Sequence, residues 1–468
     1  MKKALGLKWS LMIWLGGIWA SSLYAQSAPN ILTYQEYIEN IRLFHPLARQ
    51  ADLKIKMGDA ERLKAKGKLD PQVLSGWDQK QFDDQLYYNN FYAKFKLPTA
   101  LGVDVVGGYE HTDGLYVNPE NTTNDYGLWQ LGLEVDVLKG LVVNERKTAL
   151  QKAEVFQQLA DSERRIMIND LLYSASAAYL NWQQYVYAND IREENVRLAI
   201  TYLESTRESF LNGEKTAMDT LEAFIVYQES VTQQQKNQLE LIKARMYVEN
   251  HLWYNDLPVT LQDDTRPEPY QNQILPVEEA SLDTVLANHP VIVAAANKIS
   301  MMEIEQRLKR EALKPRLTVR YNPLLATGGA MEAPDFSVSD YKVGMNFAMP
   351  LWWRSERAEV QAGELKIQDT RLDLGYKRNE LQNKIRNSWE QQELLAEQLR
   401  WWTDNVSNYK RLLDGELEKF RLGESSVFLL NKRQEKYIDG QIKVVETHIK
   451  RQMEVLSFLY YSNQLVAE

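Results

Sequence analysis

Residues that could do chemistry are few in this chain of 468 residues. It contains no cysteine, which excludes thiolate nucleophiles and cysteine-held zinc or iron-sulfur sites. Its five histidines are scattered, and none forms a pair with the spacing of a metal motif. No nucleophile and base pair or glycine-rich phosphate loop stands out either. We therefore expect no catalytic residues, no metal and no cofactor, and an enzyme is the least supported class.

The amino-terminal segment has the pattern of a secretory signal. Lys2, Lys3 and Lys8 precede an apolar stretch over residues 11–19, and small residues follow before Gln26. This pattern predicts a cleaved signal over residues 1–25 and export of the remainder. Cleavage would remove three cations and no acid, so the formal charge would fall from −9 to about −12. Such a charge disfavours nucleic-acid binding.

Several segments alternate between apolar and polar residues, as half-buried or membrane strands do. The clearest is residues 126–138, where Trp129, Leu131 and Leu133 alternate with polar or small residues that include Glu134 and Asp136. Similar segments occur at about residues 72–82, 90–97, 103–111, 316–322 and 340–350. A soluble sandwich that buries one face would give the same alternation. The pattern thus predicts about six strands and leaves open whether they meet lipid.

The remaining sequence is helical, and its two longest helices are unusual. Residues 142–211 and 354–421 contain no proline, and each predicts a helix of about 70 residues, against roughly 12 for an average globular helix. Shorter helices are predicted over residues 33–67, 217–255, 277–313 and 427–465. Because two short helices together match one long helix in length, we expect them to stack end to end beside it.

The order of elements repeats, and so do particular residues. Both halves open with a His-Pro pair, at His45 and His289, and both long helices begin with Glu-Arg and end close to Gly-Glu. We predict a first repeat over residues 26–255 and a second over residues 277–468, joined by a proline-rich linker over residues 256–276. The first repeat holds an additional strand hairpin, and residues 97–102 form the turn between its two hairpins, which gives four strands in the first half and two in the second.

This arrangement resembles the TolC-like outer-membrane efflux factors of Gram-negative bacteria. The resemblance rests on the duplicated Gly-Glu tips, residues 213–221 and 423–430, and on the strand end that leads into the second long helix, residues 349–357. It implies an α+β membrane protein of two tandem repeats. In such proteins a trimer forms an outer-membrane β-barrel that continues as a long periplasmic α-helical barrel. It also implies a periplasmic adaptor and an inner-membrane transporter as partners, and outer-membrane lipid around the barrel.

The resemblance also implies which residues carry function. The adaptor would dock on the helix tips, at Gly213, Glu214, Lys215, Gly423, Glu424 and Ser425. Positions that often carry a gate of carboxylates in the family hold Leu429 and Lys432 here, so that gate does not carry over. The first half has acids, Asp219 and Glu222, at the matching places, where a solvated helix face is an equally good interpretation. Glu134 and Asp136 would face the lumen.

The resemblance implies a passive export channel of a tripartite efflux or type I secretion system, located in the outer membrane and extending into the periplasm. Six strands are too few to enclose a water-filled lumen, whereas three copies would provide about 18. A secreted coiled-coil scaffold or adhesin with a soluble β cap is the alternative. The sequence does not identify the exported substrate or the class of pump.

Overall fold

The computed structural model describes residues 30–272, 275, 282–326 and 335–466. The predicted signal over residues 1–25 lies outside the described residues, as do residues 276–281 of the linker and second repeat. Within these ranges, no helix combines the length and apolar character needed to cross a membrane. The elements of the described chain follow the predicted order of helices, strands, long helix and return helix in both halves.

Eight α-helices are present in the described residues, four in each half. The first half contains α1 (Tyr34–Phe44), α2 (Pro46–Gly67), α3 (Glu145–Leu211) and α4 (Ala217–Glu249). The second half contains α5 (Leu282–Asn288), α6 (Pro290–Glu311), α7 (Arg354–Arg421) and α8 (Val427–Tyr461). The long helices α3 and α7 have 67 and 68 residues, which confirms the predicted lengths. One 3-10 turn lies at Pro119–Asn121.

The helical segments at the start of each half, predicted over residues 33–67 and 277–313, are each divided at a histidine that begins a new helix. His45 and His289 are the N-caps of α2 and α6, and their Nδ1 atoms accept hydrogen bonds from the backbone N–H of Leu47 (3.1 Å) and Val291 (3.3 Å). Proline follows each histidine as the first helical residue. Proline suits that position because its missing N–H would have no helical partner.

The strands form one six-stranded antiparallel sheet. Its members are β1 (Gln72–Phe82), β2 (Gln85–Pro98), β3 (Val103–Asp113), β4 (Leu128–Asp136), β5 (Arg316–Ala326) and β6 (Asp335–Ala348). The spatial order is β6-β5-β4-β3-β2-β1, so both halves contribute to one sheet and β1 and β6 are its edges. The first half contributes two antiparallel hairpins, β1–β2 and β3–β4, and the second half contributes β5 and β6.

The two faces of the sheet differ in polarity. Along β4, Trp129, Leu131 and Leu133 are about half exposed, whereas Gln130 on the opposite face is buried. Cross-strand pairing places residues of similar character beside them, since Trp129 pairs with Tyr109 and with Leu325. On β6, Tyr341, Val343, Met345 and Phe347 continue the exposed apolar row. The sheet therefore has one apolar outer face and one polar inner face.

Each long helix is flanked by two shorter ones, as predicted. Lys54 and Glu163 join α2 to α3 (3.3 Å), and the side-chain amide of Asn237 on α4 donates to the Tyr185 carbonyl of α3 (3.1 Å). Helices α6 and α8 flank α7, where the rings of Trp389 and Phe458 lie 5.2 Å apart. Helix α3 also contacts α6 and α8, which joins the two halves.

The predicted linker is tied back to the amino-terminal end of the described chain. Arg266–Pro267 pairs in parallel with Ile31–Leu32, and Glu268 accepts a hydrogen bond from the Tyr34 backbone N–H (2.9 Å). The helix predicted to reach residue 255 ends at Glu249, because Trp253–Tyr254 turns back to pair with Leu257–Pro258. Buried Tyr37, Tyr179 and Trp182 form the core beneath these segments.

Candidate functional site

The two helix tips have the same turn geometry. The φ angles of Gly213 and Gly423 are 78° and 79°, the left-handed region that glycine adopts without steric cost. At each tip the residue after the glycine donates its backbone N–H to a carbonyl five residues earlier: Glu214 to Ser209 (2.9 Å) and Glu424 to Lys419 (2.8 Å). These are Schellman motifs that satisfy the last carbonyls of α3 and α7. The predicted reversal at both glycines is confirmed.

The helices that leave the tips begin differently. At α4, Thr216 and Asp219 form a capping box, in which each side chain bonds to the backbone N–H of the other residue (3.2 and 2.9 Å). At α8, Ser426 accepts from the Leu429 N–H (3.3 Å), and the leucine side chain offers no return bond. The bond from Thr216 lowers the pKa of the Asp219 carboxyl group. Asp219 therefore has a structural task at the tip, whatever else it does.

The two tips contact each other. The Lys215 ammonium lies 4.5 Å from the centre of the Phe420 ring, so the turn of the first half touches the end of α7. Beneath them, Leu203, Ala223 and Val427 are buried together. All four long and return helices thus meet in one apolar cluster, which holds the tips as a unit.

The second tip has a polar anchor of its own. The Ser425 hydroxyl donates to Glu416 (2.6 Å), a buried carboxylate that also lies 3.6 Å from the Arg433 guanidinium. Glu214, Gly423 and Glu424 are exposed, and Ser425 is half-buried. The predicted docking residues therefore lie together at one end of the molecule and offer mainly polar, solvent-facing groups.

The remaining candidate gate residues lie just above the tips. Glu222 on α4 and Lys432 on α8 line the same surface groove over α3, together with Phe428. Partial burial, followed by the nearby Asp219 charge, raises the pKa of Glu222. Lys432 pairs with Glu435 at 2.6 Å. Leu429 is about one-third exposed beside them. The structure brings these residues to one level of the molecule, and their action as a gate stays a prediction.

Glu134 and Asp136 lie on the polar inner face of the sheet, at the end of β4 that leads to α3. Asp136 accepts from the Arg316 guanidinium (3.2 Å) and from the Thr318 hydroxyl. Glu134 lies 3.7 Å from the Lys96 ammonium. Their charges are thus matched by neighbouring cations, and they line a cavity of about 640 Å³ where the sheet meets the helices.

The sequence does not indicate the joint at the start of α3, which is the ion pair between Arg146 and Asp104. The Arg146 guanidinium grips both carboxylate oxygens of Asp104 (3.1 Å for the second contact) and donates to the Thr99 carbonyl (3.2 Å). Lys96 also reaches Asp104, at 2.8 Å. The Glu-Arg pair that marks both long helices was the available signal, but its partner lies 42 residues away in sequence. Only the fold brings the two together.

The histidines do not form a ligand set. Among the described residues, no cluster of three metal-binding side chains is present. His45 stacks on His251 with ring centres 5.8 Å apart, and burial lowers its pKa to about 4. His289 is also buried, and its pKa is likewise lowered to about 4. Both act as neutral caps of the helix that follows.

Comparison with known proteins confirms the resemblance that the sequence indicates. No family model matches the chain. The outer membrane efflux protein BepC of Brucella suis is 22% identical over 304 residues, which are 64% of this chain and 64% of that protein. The aligned region thus spans a little under two-thirds of this curated relative.

Solved structures show the fold. The CmeC outer membrane channel of Campylobacter jejuni superposes with a TM-score of 0.65 at 12% identity, covering 92% of this chain and 85% of that one. The outer membrane protein VceC of Vibrio cholerae gives 0.66 at 11% identity, covering 92% and 95%. The described chain therefore has the α+β fold of TolC-like outer-membrane channels.

Proposed function

We propose that this protein is the outer-membrane channel of a tripartite efflux or type I secretion system. It would passively conduct small molecules, metal ions or proteins across the periplasm and outer membrane. The observation that carries this proposal is a single sheet with an apolar outer face, mounted on helices of 67 and 68 residues. Helices of that length span about 100 Å. The sheet would lie in the outer membrane, and the long helices would cross the periplasm.

Assembly into a homotrimer would complete the sheet. Strands β1 and β6 are long edges with unpaired backbone groups in the single chain. In lipid such edges are costly, because no water is present to satisfy them, and closure into a barrel removes them. Pairing of β1 with β6 of the next copy, three times, would close a barrel of about 18 strands, large enough for a water-filled lumen.

The tips would form the periplasmic mouth and receive a periplasmic adaptor that connects to an inner-membrane transporter. Lys215, Glu214, Glu424 and Ser425 would make the polar contacts. Threefold symmetry would repeat Asp219, Glu222, Leu429 and Lys432 as rings at one level of the trimer. Rings of like charge at such a level can open or close a pore. Glu134 and Asp136 would face the lumen. The name of the Brucella relative, an outer membrane efflux protein, supports the efflux role.

In-cell photo-crosslinking from the tips tests the proposal. A photoreactive residue at Lys215 or Ser425 should capture a periplasmic adaptor, identified by mass spectrometry. Ser407, an exposed residue on α7 away from the tip, is the matched control and should not capture it. Capture at the control alone, or a protein that stays in solution without detergent, would contradict the channel. The second result would favour a secreted scaffold or adhesin with a soluble β cap.

A further inference from the structure

The outer face of the sheet contains a groove of about 540 Å³ where its apolar row is interrupted. Along one cross-strand row, Gly107 of β3 lies between Phe95 of β2 and Leu131 of β4. Apart from chain neighbours, a Cβ atom on Gly107 would come no closer than 3.8 Å to any heavy atom, so the space above the glycine is open. The other apolar residues that line the groove are Val73, Ala93, Tyr109, Trp129 and Leu325.

The floor of the groove keeps its polar side chains away from it. Lys94 and Gln130 border the groove, but their side chains reach Glu110 on the inner face of the sheet. The Lys94 ammonium lies 3.2 Å from the Glu110 carboxylate, and the Gln130 amide donates to that carboxylate at 3.0 Å. The groove therefore offers an apolar surface to whatever enters it.

One wall of the groove is held in place by contacts within the chain. The Tyr109 hydroxyl donates to the Tyr126 carbonyl (3.0 Å), and the Tyr109 ring lies 5.0 Å from the Trp129 ring. The Phe91 ring lies 6.3 Å from the same tyrosine. Because these contacts already order the rings, a ligand would not have to order them on binding, which favours affinity.

The size of the groove matches one fatty acyl chain. Its lining residues extend from β1 to β5, about 19 Å at about 4.8 Å per strand. A methylene group takes roughly the volume of a water molecule in the liquid, about 30 Å³. A volume of about 540 Å³ thus holds about 18 methylene groups, which is one chain and not two. An acyl chain is also the apolar molecule that surrounds a sheet in a membrane.

The end of the groove on β1 faces the helical part of the molecule. Val73 is the second residue of β1, which follows shortly after α2. Lys66 in the last turn of α2 is exposed and makes no ion pair in the described part of the chain, whereas Lys64 pairs with Glu61 (3.2 Å). A free ammonium at the membrane surface attracts the phosphate of a lipid headgroup. In the proposed orientation this is the periplasmic surface, whose leaflet consists of phospholipid.

We propose that each copy binds one phospholipid of the periplasmic leaflet, with an acyl chain in the groove over Gly107 and the phosphate near Lys66. This rests on the proposed function, because only a sheet in the outer membrane meets such a lipid. The acyl chain would fill the gap that the glycine leaves in the apolar row. Unlike the surrounding lipid, it should stay with the protein when detergent replaces the bilayer.

Filling the groove with a side chain tests the site. The full-length protein is extracted from outer membranes, exchanged into mild detergent and titrated with dipalmitoyl phosphatidylethanolamine, and native mass spectrometry counts the phospholipids on each copy. Gly107→Leu should weaken binding about tenfold or more, since displacing two methylene groups from an apolar site suffices for that. Val343→Leu, on the outer face of β6 and outside the groove, is the matched control and should bind as the wild type does.

Two further variants guard against misfolding and test the headgroup. Ala93→Leu fills the same groove from β2 and decides the question where Gly107→Leu fails to assemble. Lys66→Gln should weaken binding of phosphatidylglycerol about fivefold, the effect of one lysine near a lipid surface. Lys64→Gln is its matched control, because Lys64 already has an acidic partner.

The outcomes separate this site from the channel. A wild-type assembly that holds no phospholipid, or unchanged binding in Gly107→Leu and Ala93→Leu, would overturn the site and leave the channel in place. Retention of lipopolysaccharide instead of phospholipid would overturn the assignment to the periplasmic leaflet. A wild-type protein recovered without detergent would contradict the proposed function itself.

Discussion

The two halves of the chain share a plan and differ at both of its ends. The first half has four strands, and Arg146 fastens their inner turn to α3. The second half has two, and the corresponding Arg357 has no ion pair among the described residues of the single chain. At the other end, the helix after the first tip begins with a full capping box. The helix after the second tip begins with the serine bond alone. The first half is thus fixed by its own local bonds, whereas the second depends more on packing against its neighbours.

The largest contrast is expected at the starts of the long helices. Arg146→Ala leaves the nearly buried Asp104 with Lys96 alone, and we expect a loss of about 2 to 4 kcal/mol in the free energy of unfolding. Arg357→Ala should cost less than about 0.5 kcal/mol. Thermal unfolding of the detergent-solubilised protein measures both. Equal losses of unfolding free energy in the two variants would show that the two long helices do not differ in how their starts are held. In the Arg146→Ala/Asp104→Ala double variant, the losses should be less than additive.

The histidine caps should respond alike in the two halves. Burial lowers the pKa of His45 and His289 to about 4, below the value of about 6.5 expected in the unfolded chain, so folding favours the neutral rings. Their stability contribution is complete above about pH 6.5 and declines as the pH falls toward 4. The melting temperature should therefore drop between pH 7.5 and pH 5. Exchange of both histidines for asparagine, which can still cap, should reduce that drop, and an unchanged drop would refute the assignment.

The cap of α4 should contribute more to stability than the cap of α8, because only the first is a complete capping box. Thr216→Ala removes the two hydrogen bonds between the Thr216 hydroxyl and Asp219 at the start of α4. We expect a loss of about 1 to 2 kcal/mol in the free energy of unfolding. Ser426→Ala removes one, with an expected cost of about 0.5 to 1 kcal/mol. Hydrogen exchange at the first turns of α4 and α8 reports these costs locally. A larger increase in exchange at α8 would reverse the comparison.

The smallest effect is expected at the contact between the tips. Lys215→Met keeps the length of the side chain and loses the ammonium above the Phe420 ring, a contact worth about 0.5 to 1 kcal/mol. Lys215→Arg should retain it. Double-mutant cycles with Phe420→Leu measure the coupling directly. A coupling indistinguishable from zero would mean that the tips are held together only by the buried cluster beneath them.

Local patterns made most of the fold predictable. Strict alternation located the strands, and uninterrupted helical sequence gave the bounds of α7 at Arg354 and Arg421. The His-Pro pairs mark helix starts at His45 and His289, as expected because a residue before proline is disfavoured in a helix. The Thr-x-x-Asp pattern at Thr216 also indicates a capping box, whereas the sequence analysis treats Asp219 as a gate charge or part of a solvated helix face.

Contacts between distant segments were not predictable. The joint between Arg146 and Asp104, and the ladder that places β5 beside β4, depend on how the chain returns after more than forty and more than one hundred residues. No local pattern specifies which acid an arginine will meet. The width of the sheet could be predicted from the number of strands, whereas the attachment of its additional hairpin to α3 required the structure.

The most direct test of the account is native mass spectrometry of the protein extracted from outer membranes in mild detergent. We expect a mass of three copies, because only closure of the sheet satisfies the edges β1 and β6 in lipid. A single copy of the chain in the same extract, or a protein recovered without detergent, would contradict the trimeric channel.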